Sequence, residues 1–207
     1  MVHFENIKKD IKNLKIFSKG WRGLIFTGFY NNEKVAIKVA NRKEVIENIK
    51  IEIDNIMLLR SKNFYNIPEI IEYGEDFFIY KFIDAFTLKE VFTSIDLEQK
   101  KNILIKILNV LYQWDKIGFF KNELKKLTTN ILISNKLDVY FIDFEKSRQN
   151  KFYKNIPQYI QFLKNLNILS MDEVLYFGKN YKSNPDKIYI ILKDKILSSK
   201  KDFSTLF

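Results

Sequence analysis

The chain has 207 residues and a formal net charge of +10 at pH 7, from 35 lysines and arginines against 25 aspartates and glutamates. It contains no cysteine and a single histidine, His3, which excludes disulfides, zinc fingers, cysteine nucleophiles and His-rich metal sites. Hydrophobic residues make up 46% and charged residues 29%, the balance of a folded globular protein. We expect one domain, or two small lobes that share a cleft.

No stretch of the sequence approaches the roughly 20 apolar residues that a membrane span needs. The first residues lack the charged-then-apolar layout of a signal peptide, so we expect a cytoplasmic protein with no membrane partner. The basic charge is compatible with binding to nucleic acid, nucleotides or acidic proteins. The codon bias of an AT-rich genome explains it equally well, because the lysines are spread along the chain.

The first 83 residues predict a mainly β half. Phe4, Ile7, Ile11 and Leu14 have helical spacing, which predicts a short amphipathic helix over residues 4–15. Apolar residues again recur at helical spacing over residues 43–60, which predicts a second helix. Short β-branched and aromatic runs predict strands at residues 24–26, 28–30, 35–39, 69–73 and 77–83, with Asn31-Asn32 as a hairpin turn.

The second half is mainly helical. The pattern predicts helices at residues 87–93 and 96–117, a polar irregular segment at 121–130, strands at 131–134 and 139–142, and helical structure over 156–200. A boundary near residue 84 therefore predicts two lobes, residues 1–83 and 84–207, with a cleft between them.

The first candidate functional residues along the chain are a pair of glycines. Gly20 and Gly23 lie between strand-like runs and predict a turn whose backbone amides can approach phosphate closely, although any β-turn can hold two glycines. Lys38 ends the apolar run Val35-Ala36-Ile37; it either extends to solvent or neutralises the phosphates of a nucleotide. Glu52 lies on the apolar stripe of the next helix, where an unpaired carboxylate costs desolvation energy, so we expect it to pair with Lys38.

A second constellation follows in the other half, in the order Glu123, Lys125, Asn130 and Asp143. Asn130 and Asp143 offer the hard oxygen ligands that Mg²⁺ requires. Glu123 could accept or orient the proton of an attacking hydroxyl, and Lys125 could stabilise the charge on a transferred phosphoryl group.

Together these motifs resemble the protein-kinase superfamily over about residues 15–145. Ser18-x-Gly20-x-x-Gly23-x-Ile25 is similar to the family's G-x-G-x-x-G-x-V with serine for the first glycine, and residues 35–38 are identical to its V-A-I-K motif. Residues 78–84 look like the hinge that binds adenine through its backbone. The resemblance implies an α+β, bilobal protein-kinase-like fold, with an antiparallel five-stranded N-lobe that carries helix C, and a reduced, mainly helical C-lobe.

What the resemblance implies for function is an ATP-dependent phosphotransferase, an atypical serine/threonine protein kinase that uses Mg²⁺ and an unidentified protein acceptor. The implied catalytic residues are Lys38, Glu52, Glu123 and Lys125. The residues implied to contact ATP are Gly20, Gly23, Ile25, Ala36, Lys38, Lys81, Ile83, Asn130 and Asp143, with Asn130 and Asp143 as the metal ligands.

Several departures from the family pattern concern the catalytic loop. Asn130 lies seven positions after Glu123 rather than five, Lys121 replaces the loop histidine, the D-F-G triplet reads Asp143-Phe144-Glu145, and no A-P-E segment follows. The closer likeness is to compact archaeal predicted serine/threonine kinases, whose loop reads H-x-E-L-x-x-P-x-x-N. Similar reduction is seen in RIO kinases and in the small kinase of the archaeal tRNA-modifying complex.

An alternative register places Lys126 at the base position, but a lysine cannot do the work of a carboxylate, so we prefer Glu123. Three alternative functions stay open: a pseudokinase that binds nucleotide as a scaffold, an RNA-linked kinase or ATPase in tRNA or ribosome assembly, and a small-molecule kinase. The short C-terminal part disfavours the last of these.

Overall fold

The computed structural model describes residues 2–21, 23–122, 127–149 and 154–201. Within these residues the chain is a mixed α+β protein with eight α-helices and a five-stranded antiparallel sheet. It divides into two compact units. The first consists of Met1–Asp84 with Tyr140–Ser147, and the second of Ala85–Val139 with Arg148–Phe207.

The first unit contains the five-stranded sheet, with strand order β1-β2-β3-β5-β4. Its elements are α1 (Phe4–Ile7), β1 (Lys12–Gly20), β2 (Gly23–Tyr30), β3 (Glu33–Val39), α2 (Ile46–Ser61), β4 (Ile70–Tyr73) and β5 (Phe77–Lys81). The predicted hairpin between β2 and β3 is present. Asn31 and Asn32 have φ values of 50° and 63°, the left-handed conformation that a two-residue hairpin turn of type I′ requires.

The predicted helix over residues 4–15 is wrong beyond its first turn. The helix α1 ends at Ile7, a single 3₁₀ turn follows, and β1 begins at Lys12. Asn13 has a φ of 53°, which a continuing right-handed helix does not allow. Ile11 and Leu14 are apolar because both pack against the core of the sheet. Ile11 does so from the turn before β1 and Leu14 from β1 itself, so their helical spacing does not reflect a helix.

The two runs predicted as separate strands at residues 24–26 and 28–30 form one strand, β2. Gly28 lies inside this strand, at a point where the start of β1 passes very close to it. A Cβ atom at this position would lie 2.6 Å from Ile11 Cγ2 and 3.0 Å from the Lys12 carbonyl oxygen, so only glycine fits without a shift of the neighbouring chain.

Each face of this sheet has a separate role. One face carries Val35, Ile37 and Val39 of β3 with Phe77 and Ile79 of β5, and it packs against the N-terminal segment in an apolar core. Lys38, between two of these residues in β3, projects to the opposite face because successive side chains in a strand alternate. The helix α2 contacts β4 and β5 through a stripe of buried residues, Ile49, Ile53, Ile56 and Leu59.

The second unit is mainly helical. Its elements are β6 (Ala85–Thr87), α3 (Leu88–Phe92), α4 (Leu97–Lys116), β7 (Phe119–Phe120), α5 (Leu127–Asn130), β8 (Ile131–Ser134), β9 (Val139–Phe141, whose last two residues belong to the first unit), β10 (Arg148–Gln149), α6 (Asn155–Asn165), α7 (Met171–Asn180) and α8 (Pro185–Ser198). The long helix α4 packs against α6 and α8. Buried Asp115, near the end of α4, accepts backbone N–H bonds from residues 154–156 at 2.9–3.0 Å and so caps α6.

The segment at residues 121–130 was predicted to be irregular, but its last four residues form the helix α5. Asn155 orders the start of this segment, since its Oδ1 accepts the Lys121 N–H at 2.9 Å and its Nδ2 donates to the Phe119 carbonyl at 2.6 Å. Among the described residues, no helix is both long enough and apolar enough to cross a membrane.

The close approach of β1 and β2 generates a stability prediction. We expect Gly28→Ala to lower the free energy of unfolding by about 1–3 kcal/mol, because the new methyl group must displace Ile11 and backbone. The matched control is Gly178→Ala in α7, where a Cβ meets no atom within 4 Å and the gain in helix propensity is up to about 1 kcal/mol. Urea denaturation followed by circular dichroism measures both variants, and an unchanged midpoint for Gly28→Ala would contradict the close approach.

Candidate functional site

Lys38 is the central residue of the candidate site. It is the penultimate residue of β3, directly opposite Ile25 on β2 and Phe78 on β5. Residues directly opposite on neighbouring antiparallel strands share a face of the sheet, so Lys38 shares its face with Ile25. Ala36, two residues earlier in β3, lies on the same face. The Lys38 side chain is 15% exposed.

Glu52 connects Lys38 to a distant segment of the chain. It lies on the buried stripe of α2 with its side chain 3% exposed. Its Oε2 accepts a hydrogen bond from Lys38 Nζ at 2.5 Å, and its Oε1 accepts the backbone N–H of Phe144 at 3.1 Å. The expected Lys38–Glu52 ion pair is therefore present, and one carboxylate joins β3, α2 and the segment that follows β9.

That segment brings two more carboxyl groups to the lysine. Lys38 Nζ lies 3.6 Å from Asp143 Oδ1 and 3.9 Å from Glu145 Oε2. Asp143 has a φ of 64°, a left-handed conformation that costs a residue with a side chain on the order of 1 kcal/mol. Such strain persists where the surroundings hold the backbone in place, and it is concentrated at functional sites.

Asn55, one turn after Glu52 on α2, helps to hold this backbone. It is buried, and its Nδ2 donates to the carbonyl oxygens of Phe144 at 3.1 Å and Ser147 at 2.9 Å. Asn55 and Glu145 were not predicted as site residues from the sequence. Asn55 could have been found as a polar residue on the apolar stripe of a helix. Glu145 could have been found as a second carboxylate two residues after Asp143.

The pKa of Lys38 reflects two opposing effects. Burial by itself lowers the pKa, but the carboxylate of Glu52, followed by those of Asp143 and Glu145, outweighs burial and raises the pKa above its ordinary value of 10.5. The ammonium therefore stays protonated at neutral pH. Tyr80, next to the site, has its pKa raised to about 12 by burial and by the charge of Glu52.

The three carboxyl groups of Glu52, Asp143 and Glu145 are also grouped closely enough for a cation. One ligand atom from each lies within 4.8 Å of the others, and carboxylate oxygens are the donors that Mg²⁺ and Ca²⁺ prefer. A cation at this position would compete with the Lys38 ammonium for the same oxygens. The arrangement can therefore bind positive charge at the carboxyl groups and negative charge at the lysine.

The glycine pair closes the β1–β2 hairpin. Gly20 lies directly opposite Gly23, and a Cβ on Gly23 would lie 2.8 Å from the Val39 carbonyl oxygen. Arg42, in the connection between β3 and α2, contacts Trp21 at the tip of this hairpin. Its Nη2 donates to the Trp21 carbonyl at 3.0 Å, and its guanidinium lies 4.7 Å from the centre of the Trp21 ring. The hairpin next to Lys38 is thus tied to the chain that leads into α2.

The other residues predicted for the site are not among the partners described above for Lys38, Glu52 or Asp143. Lys81, opposite Val35 and so on the other face from Lys38, pairs with Glu69 at 3.0 Å, and Ile83 is half-buried after β5. Asn130 is the last residue of α5, in the second unit. Glu123 and Lys125 lie outside the described residues, so the positions predicted for them stay predictions.

Comparison of the chain with models of known protein families gives no match. Comparison with curated proteins likewise gives no significant match. The function must therefore be inferred from the chain's own residues.

The hydrogen bonds of Asn55 generate a second prediction. We expect Asn55→Ala to lower the free energy of unfolding by about 2 kcal/mol, because it removes two buried hydrogen bonds to backbone carbonyl groups, and to speed amide exchange in residues 143–147. Exposed Met57 on the same helix supplies the control, since Met57→Ala should change stability by less than about 0.5 kcal/mol. Urea denaturation and hydrogen exchange measure the two effects, and normal exchange in this segment would argue against the role of Asn55.

The raised pKa of Lys38 generates a third prediction. The Lys38 ammonium contributes fully to the free energy of unfolding below pH 10.5, the ordinary pKa of a lysine. This contribution declines only as the pH rises through the higher pKa that Lys38 has in the folded protein. We expect acetic anhydride at pH 9 to label Lys38 about tenfold or more slowly than exposed Lys34, since tenfold less free amine is present for each unit by which the pKa rises. Mass spectrometry measures the rates.

The Glu52→Gln variant serves as the control for that labelling. It removes the largest of the charges that raise the Lys38 pKa, so labelling of Lys38 should become faster while labelling of Lys34 stays the same. Labelling of Lys38 in the native protein as fast as that of Lys34 would be incompatible with the ion pair.

Proposed function

We propose that this protein is an ATP-dependent phosphotransferase of the protein-kinase type, an atypical serine/threonine protein kinase that acts on Mg·ATP. The proposal includes the two-lobed kinase-like fold that the sequence motifs imply. Lys38 neutralises charge on the nucleotide phosphates, Glu52 holds Lys38 in place, and Asp143 is the metal ligand.

The single observation that carries the proposal is the ion pair of Lys38 and Glu52, 2.5 Å between Nζ and Oε2, with Asp143 3.6 Å from the same ammonium. Phosphoryl transfer needs little covalent chemistry from the protein, and positioning and charge neutralisation do most of the work. An ammonium fixed by a helix carboxylate supplies a charge of the required sign that does not have to reorganise during the reaction.

The direction of the Lys38 pKa shift argues against the main alternative use of a buried lysine. A lysine that acts as a nucleophile or forms a Schiff base needs a lowered pKa, so that the free amine is available. The carboxylates around Lys38 raise its pKa instead. An electrostatic role therefore fits this lysine better than a covalent one.

The carboxyl groups next to Lys38 fit a divalent cation by their chemistry, because they are hard oxygen donors grouped within 4.8 Å. Magnesium, when bound, would offset the charge of the phosphates. The roles of Asn130 as a second ligand, Glu123 as the group that orients the acceptor hydroxyl, and Lys125 as a stabiliser of the phosphoryl group stay predictions from the sequence.

A second candidate function is nucleotide binding without transfer, as in a pseudokinase scaffold. It is favoured by Glu145, which puts a third carboxyl group 3.9 Å from Lys38 at the position where the family motif has glycine. This carboxylate competes with phosphate for the ammonium, which weakens the electrostatic help that Lys38 can provide during transfer.

Turnover of γ-labelled ATP, with Mg²⁺ and with both autophosphorylation and free phosphate as readouts, tests the proposal. We expect Lys38→Met and Asp143→Asn to lose activity by about 100-fold or more, since each removes a charge that acts on the reacting phosphates. The matched control is exposed Lys62 at the end of α2, because Lys62→Met removes one positive charge outside the site. Circular dichroism checks that all three variants fold.

Isothermal titration with ATP and Mg²⁺ separates the two candidate functions. Binding that depends on Lys38, without measurable turnover in the native protein, would favour the scaffold. Turnover that survives Lys38→Met, or absence of any nucleotide binding, would contradict the proposal.

A further inference from the structure

A row of alternating lysines and aromatic rings crosses the sheet of the first unit. Lys12 on β1 lies directly opposite Phe29 on β2, and Phe29 lies directly opposite Lys34 on β3. Directly opposite residues project to the same face. Phe82, which follows β5, continues the row: its backbone N–H donates to the Lys34 carbonyl at 3.1 Å, and Lys34 Nζ lies 3.9 Å from the centre of its ring.

Two residues of β1 widen this row into a surface. The ring of Phe17 meets the ring of Phe82 edge-on, with centroids 6.0 Å apart. Lys15 lies directly opposite Thr27, which is two residues from Phe29 and so on the same face. We call this set the cation–aromatic row; its members are Lys12, Lys15, Phe17, Phe29, Lys34 and Phe82.

Five of the six residues of the row are exposed, and Phe82 is half-buried. Phe17 is 64% and Phe29 41% exposed, and Lys12, Lys15 and Lys34 are all exposed. Exposed aromatic rings are costly in water, and a group of them next to lysines indicates a surface that binds a partner.

Charge is distributed unequally between the two faces at this end of the sheet. Tyr30 is adjacent to Phe29 and therefore projects to the other face, opposite Glu33. Its pKa is raised by burial and by Glu72 and Asp10, which places these acidic groups near that other face. The face with the cation–aromatic row presents lysines instead, so it attracts an anionic partner.

We propose that the cation–aromatic row binds a single-stranded nucleic acid. Single-strand binding combines a positive surface that follows the phosphates with aromatic rings on which successive bases stack, and the row supplies both. An acidic peptide would match the lysines but leave the rings without partners. A duplex hides the faces of its bases, so it could use only the charges.

The proposal is independent of phosphoryl transfer. Lys34 and Lys38 are four residues apart in β3, about 13 Å along the strand, so the row and the candidate catalytic lysine lie towards opposite ends of one sheet face. Nucleic-acid binding by the row needs neither ATP nor turnover.

Fluorescence anisotropy with labelled 20-nucleotide oligo(U) and oligo(dT), without ATP and at several salt concentrations, tests the charge part of the proposal. Each lysine that neutralises a phosphate contributes about 0.7 to the slope of log affinity against log salt. The triple variant Lys12→Gln, Lys15→Gln and Lys34→Gln should therefore reduce that slope by about 2. The matched control replaces exposed lysines of the second unit, Lys179, Lys187 and Lys193, with glutamine at the same net charge.

The double variant Phe17→Leu and Phe29→Leu tests the stacking part. It keeps apolar side chains but removes the rings, so affinity should fall about fivefold or more while the salt slope stays unchanged. Tyr176→Ala, at an exposed aromatic position of α7, is the control and should have no effect.

The proposal would be overturned by no binding of either oligonucleotide, an equal loss in the control lysine variant, equal affinity for duplex DNA, or equally strong competition by polyglutamate. Displacement of the oligonucleotide by millimolar Mg·ATP would also overturn it, because the row would then belong to the nucleotide site. A preference for oligo(U) over oligo(dT) would support the proposal and favour RNA as the class of nucleic acid that the row binds.

Discussion

The ion pair between Lys38 and Glu52 is the interaction on which the rest of the site depends. A buried carboxylate is costly unless its oxygens are used, and here one oxygen accepts from the lysine while the other accepts the Phe144 N–H. The same side chain therefore joins a strand, a helix and a segment 92 residues further along the chain. Asn55 repeats this connection one helical turn later, so α2 determines where Asp143 and Glu145 lie.

The sheet of the first unit separates two tasks by alternation along its strands. Val35, Ile37 and Val39 fill the apolar core on one face, which leaves the other face free for charged residues. That face carries Lys38 towards one end of β3 and Lys34 towards the other, and both are proposed to meet phosphate. On these two proposals, one sheet would carry two separate anion-binding surfaces, and a substitution could remove either without the other.

Local sequence signals predicted the elements whose stability is local. Asn31 and Asn32 tolerate positive φ and specify their hairpin, and the helices α2, α3 and α4 follow the apolar periodicity within a few residues. The segment at residues 4–15 was predicted wrongly because Ile11 and Leu14 satisfy a helical pattern while contacting a core that folds around them. The strand was also predicted to break before Gly28, whereas β2 is continuous there. The glycine is needed for a different reason, because its lack of a side chain allows β1 to pass close to β2.

The sequence by itself determined that Glu52 needs a cationic partner, because an unpaired carboxylate on the apolar stripe of α2 is too costly, and Lys38 at the end of the preceding strand was the natural choice. Only the tertiary structure decided that Glu145 and Asn55 belong to the same cluster and that Tyr140–Ser147 returns to the first unit. It also decided which lysines and rings form a row across the sheet. The physical reason is that these contacts join residues far apart along the chain, whose approach depends on strand register and packing.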